Sequence, residues 1–101
     1  MSSQVPTVVA LSSLEELQQH VLKILYERDR LDGEQTPFYQ GLLKRSGRPC
    51  GLFFQVQGPR QARLYALWVG EENRILFYDT TGQRFAETVL SDAPDPRKLA
   101  A

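Results

Sequence analysis

Between residues 50 and 90 the chain repeats one pattern four times, a short run rich in β-branched and aromatic residues followed by a break. The runs 51–57, 63–69, 74–79 and 84–90 are separated by no more than six residues, among them Gly58-Pro59 and Gly70-Glu71-Glu72-Asn73. Connections this short fit antiparallel neighbours, because a parallel crossover needs about a dozen residues or more. A four-stranded antiparallel β-meander is therefore expected. The break Asp79-Thr80-Thr81-Gly82 has aspartate first and glycine fourth, the pattern of a type I turn closed by a glycine bulge. It predicts Asp79 opposite Gln83 and Phe77 opposite Phe85.

Upstream the period changes. Leu14, Leu17, Val21, Ile24 and Leu25 recur at helical spacing and share one face, while Glu15, Glu16, Gln19, Lys23 and Glu27 take the other. Ser12 with Glu15, or Ser13 with Glu16, has capping-box spacing and marks the start. Asp32-Gly33 is the expected end. Thr36-Pro37 looks like a second helix start, with Phe38, Leu42 and Leu43 inward and Ser46-Gly47 as its stop. Residues 5–11 read as an extra N-terminal edge strand, with Pro6 near its start. The expected fold is α+β: an amphipathic helix and a short second helix packed on the meander. Residues 1–90 would form one domain and residues 91–101, with two prolines, a flexible tail.

Such a meander has more apolar surface than one helix covers. Leu52, Phe54, Val56, Ile75, Phe77, Phe85 and Val89 suit the face under the first helix. Phe53, Leu76, Tyr78 and Ala86 fall on the opposite face, together with either Leu64, Ala66 and Trp68 or Tyr65, Leu67 and Val69. That far face is covered by the second helix, by a second copy of the chain, or by another partner.

Composition narrows the function. Hydrophobic residues at 42% and charged residues at 24% argue against global disorder, and twelve basic against twelve acidic residues exclude a chain built as a polycation. Cys50 is the only cysteine, so no intrachain disulfide forms and a reducing compartment is compatible. The N-terminus lacks a basic region and a long apolar core, and no stretch approaches the ~20 apolar residues of a membrane span. The expectation is a soluble cytoplasmic protein without membrane contact.

Chemistry-bearing patterns are sparse. His20 and Cys50 each stand alone, so a structural metal site is not expected and a Cys–His dyad requires the fold to join them. Asp79 and Glu87 are a carboxylate pair only if the last hairpin brings them together. The glycines form no dinucleotide or phosphate loop. The run 51–56 superficially resembles the central strand of SH2 domains, but Val56 stands where their phosphate-binding arginine belongs, and the resemblance is rejected.

No catalytic residue and no cofactor is therefore expected. The favoured function is a non-catalytic protein–protein interaction or homodimerising module, with Phe53, Tyr65, Trp68, Leu76 and Tyr78 as its candidate interaction face. The alternative is single-stranded nucleic-acid or anionic-ligand binding. No acid lies between Glu34 and Glu71, whereas Lys44, Arg45, Arg48, Arg60 and Arg63 do, interleaved with Phe53, Tyr65 and Trp68. A third reading is an apolar-ligand cavity between sheet and helices, lined by Phe53, Tyr65 or Trp68.

Overall fold

The computed structural model describes residues 7–28, 36–58 and 62–98. Its helix, α1 (Leu14–Arg28), begins where the capping pattern predicts. The Ser13 hydroxyl accepts the Glu16 amide at 3.1 Å, and the Glu16 carboxylate reaches back to the Ser12 amide and hydroxyl at 2.9 and 3.0 Å. These bonds satisfy donors that the first helical turn leaves free, and they hold the Glu16 carboxyl below its usual range. Leu17, Val21 and Leu25 are fully buried, whereas Leu14, at the mouth of the helix, is exposed.

Six strands form one mixed sheet: β1 (Thr7–Ala10), β2 (Phe38–Arg45), β3 (Arg48–Gln57), β4 (Arg63–Val69), β5 (Arg74–Tyr78) and β6 (Arg84–Asp92). Their order across the sheet is β1-β6-β5-β4-β3-β2, antiparallel throughout except that β1 runs parallel to β6. The four expected strands are β3 to β6, and the N-terminal edge strand is β1.

The expected second helix is instead β2. Its apolar pair Phe38 and Leu42 suits both periods, since residues four apart share a face in a helix and in a strand alike. Tertiary context decides between them, because β2 supplies partners for the outward backbone groups of β3 over its whole length. Ser46-Gly47 then closes a hairpin rather than stopping a helix. Both have positive φ, 54° and 79°, the backbone of a two-residue turn whose twist matches the strands.

On the last hairpin the Asp79 amide donates to the Gln83 carbonyl at 2.9 Å, and Gly82 closes the turn with φ 87° and an amide bond to the Asp79 carbonyl at 3.0 Å. The bulge goes one residue further than the pattern implies. Tyr78 faces Arg84 but Phe77 faces Ala86, so Phe85 is the extra residue and its expected pairing with Phe77 is lost. The rings still lie 6.2 Å apart. Beyond the bulge every side chain changes face. Thr88 and Leu90 are buried on the helix side, and Val89 lies on the far side instead.

The core lies between α1 and one sheet face. Leu52, Phe54 and Val56 of β3, Leu64, Ala66 and Trp68 of β4, and Ile75 and Phe77 of β5 are all buried there. Each fully buried Leu, Val or Phe side chain contributes about 1.5–3 kcal/mol relative to exposure. Residues 91–98, expected as part of a flexible tail, are instead built onto the sheet: β6 runs to Asp92, and a 3-10 turn at Pro96–Lys98 packs against β3. Residues 99–101 lie outside the described residues, as does the expected helix end at Asp32-Gly33.

Candidate functional site

Strand alternation sends the neighbours of the core residues to the other side. Tyr39, Phe53, Tyr65, Leu67, Val69, Leu76, Tyr78 and Val89 share the face turned away from α1. One row across it is fully in register: Gly41, Phe53, Leu67, Leu76 and Glu87 stand side by side on five strands. A band of aromatics crosses the same face. The Tyr39 and Phe53 rings are 6.2 Å apart, Phe53 and Tyr65 are 5.9 Å apart, and Tyr65 stands opposite Tyr78. Among the described residues no helix lies over this face. Most of these side chains shield one another and are partly exposed, while Tyr39, at the open edge, is 61% exposed.

Four of the five residues expected at an interaction face are therefore brought together: Phe53, Tyr65, Leu76 and Tyr78. Trp68 is not. It points into the core with 0% exposure, because β4 presents its even-numbered residues to α1. Ala86 likewise packs against the core. Leu67, Val69 and Val89 belong to the face in their place.

The polar groups at the centre of the face are few, while Gln55, Gln57, Arg63 and Arg84 gather at its Tyr65–Tyr78 end. Arg74 and Glu87 pair across β5 and β6 at 3.0 Å, and Arg74 also meets Glu72 at 3.3 Å. Glu87 is thus committed to Arg74. Asp79 spends its carboxylate on the turn, accepting from the Thr81 hydroxyl and from the amides of Thr81 and Gln83. Those bonds, the Thr81 hydroxyl foremost, hold its carboxyl below the usual range. The two acids do not form a working pair.

The five expected cations do not form one patch. Lys44, Arg45 and Arg48 gather at the β2–β3 hairpin, Arg63 sits at the opposite end of β4 beside Gln57, and Arg60 lies outside the described residues. Arg45 is engaged by Glu71 at 2.7 Å. Arg97 joins the hairpin cluster from the supposed tail, beside a cleft of about 480 Å³. The dipeptide Asp95-Pro96, a turn marker, was the sequence signal for that return.

His20 and Cys50 do not meet as a dyad. The His20 ring is hydrogen-bonded to the Thr88 hydroxyl at 2.9 Å and sits edge-on to Phe77, whereas Cys50 lines the cleft. Burial, and secondarily Lys23, lowers the His20 pKa. Among the described residues no three His, Cys, Asp or Glu side chains cluster as a metal site would require. Between α1 and the sheet lie the core side chains, and Phe53 and Tyr65 are on the other face. No helix among the described residues is long and apolar enough to cross a membrane. Comparison with protein-family models, curated proteins and solved structures gives no match, so the site is read from its geometry.

Proposed function

We propose that this protein is a non-catalytic interaction module whose working surface is the open sheet face, and that a second copy of the chain covers it. The observation that carries this reading is the continuous apolar face around the row Phe53, Leu67 and Leu76, left without a helix once β2 takes the place of the second helix. Contiguous apolar surface of this kind marks interaction sites. The centre of the face carries only the Arg74–Glu87 pair, while Arg63 and Arg84 stand at its Tyr65–Tyr78 end, and the chain has formal net charge +0. The apolar centres of two such faces can stack as sheets do, at about 10 Å with their side chains interdigitated.

The nucleic-acid reading keeps one support, the aromatic band Tyr39–Phe53–Tyr65, which resembles a stacking platform. Its cations do not form one continuous rim along a strand path, since Arg74 is paired, Lys44, Arg45 and Arg48 cluster at one end, and Arg63 and Arg84 stand at the other.

Light scattering and sedimentation over a wide concentration range test the dimer, with Leu67→Lys as the comparison. Leu67 is central and only partly buried, so the charge is tolerable in a monomer but faces its own copy across a two-fold axis. The expected result is a wild-type dimer and a folded Leu67→Lys monomer. A wild-type chain that stays monomeric at millimolar concentration would sink the proposal. So would a dimer that persists in Leu67→Lys, which would place the contact at the open outer edge of β2.

A further inference from the structure

The cleft at the end of the sheet is built from three separated parts of the chain: the β2–β3 hairpin with Arg45 and Arg48, the 3-10 turn Gly70–Glu72 that follows β4, and the segment Asp95–Arg97. Its walls are largely apolar. Pro49, Cys50 and Pro96 form part of them, and Pro96 is seated on Gly70 so closely that a side-chain carbon added to Gly70 would come within 2.5 Å of it. The same added carbon would stand 2.7 Å from the Cys50 carbonyl. The volume falls within the usual range of small-molecule sites, roughly 300–1,000 Å³.

Its electrostatics are asymmetric. Three guanidinium groups line the cleft against two carboxylates. Arg45 is held by Glu71 at 2.7 Å, and Arg97 lies fork-to-fork on Asp95 at 3.0 and 3.1 Å. Arg48 has no ion-pair partner among the described residues. Both pairs are on the surface, with the Arg45 and Arg97 side chains 72% and 83% exposed, so they are weak and readily exchanged. A free Arg48 beside two exchangeable arginines offers planar donors in the geometry that oxyanions accept in pairs.

We infer that this cleft is a binding site for a small organic oxyanion, a carboxylate or phosphate ester on an apolar body. The single surplus positive charge receives the anionic head, and Pro49, Cys50 and Pro96 receive the body. Arg48 is the anchoring residue. This site is separate from the open sheet face and stands or falls independently of the dimer.

Amide chemical-shift titrations of the full-length protein test it, with benzoate, phenyl phosphate, inorganic phosphate and neutral benzyl alcohol as probes. Saturable shifts are expected at Ser46, Arg48, Gly70 and Arg97 with benzoate or phenyl phosphate, and the stronger of the two names the head group. Inorganic phosphate should bind at least tenfold more weakly than phenyl phosphate, and benzyl alcohol should leave these amides unmoved. Arg48→Ala should weaken binding at least tenfold, with Arg48→Lys in between. If Arg48→Ala does not fold, Arg97→Ala replaces it with the same expectation. Shifts confined to the sheet face, equal binding of benzyl alcohol, or unchanged affinity in the folded arginine variant would each overturn the assignment. Inorganic phosphate binding as well as phenyl phosphate would also overturn it, as ordinary counterion association.

Discussion

Two residues show how little room the core leaves. An added carbon at Gly51 would overlap the Trp68 carbonyl oxygen, a backbone atom of the β3–β4 ladder that cannot turn aside. Gly51→Ala should therefore cost about 2–4 kcal/mol through overpacking and a displaced ladder. Gly41→Ala, whose added carbon meets only the Tyr39 ring at 3.4 Å or more, should change stability by less than about 1 kcal/mol. Denaturant unfolding followed by the emission of the single, buried Trp68 measures both. His20 is the second case. Burial keeps its pKa below the ordinary value, so between the two values the unfolded chain holds more protons than the folded one. Stability should then be level in this respect above about pH 6.5 and fall as pH drops below it. His20→Gln, which can still bond Thr88, should remove that slope in unfolding free energies measured at several pH values; an unchanged slope would refute the assignment. His20 is the only histidine, which makes the comparison clean.

At the scale of elements, the β2–β3 hairpin is the most informative unit. Its turn asks Ser46 to hold a φ of 54°, a conformation that costs an ordinary L-residue roughly 1–2 kcal/mol. Asparagine accepts that region far better, and Asn-Gly is the preferred pair for such a turn. Ser46→Asn should thus stabilise the protein by about 0.5 kcal/mol, while Ser46→Val, branched at Cβ, should destabilise it by about 1–2 kcal/mol. Urea midpoints at constant slope would show both. The spacing of Phe38 and Leu42 could not separate helix from strand here. The positive-φ turn and the unpaired edge of β3 could, and both are properties of the folded hairpin. The α1 cap, by contrast, was legible residue by residue, because Ser13 and Glu16 act within one turn of each other.

At the scale of the molecule, one helix on a six-stranded sheet leaves one face without a covering layer among the described residues. The face comprises about five strands at ~4.8 Å spacing with side-chain rows ~6.8 Å apart, a projected footprint on the order of 400 Å². That is below the ~800 Å² per partner of a standard interface even after side-chain relief is added. The dimer should accordingly be modest and its population concentration-dependent. The same Leu67→Lys comparison has a thermal readout: the wild-type melting temperature should rise with protein concentration, and that of the variant should not. The cleft answers to the same scale, since Arg48 and Arg97 are neighbours only because β6 and the turn after it return the chain to the β2–β3 hairpin.

What the chain's own order of residues determined was everything settled by neighbours: α1 with its cap, the alternation of β3 to β6, the Asp79–Gly82 turn, and an excess of apolar sheet surface. The tertiary structure alone decided which way that surface faced. Pairing chose the face of Trp68, and a single bulged residue, Phe85, reversed every side chain after it. Pairing with β3 made a strand of β2 and so removed the helix that would have covered the far side. The physical reason is the same in each case. A strand's pattern repeats every two residues, and which of its two faces is inside depends on a register set by partners distant in sequence.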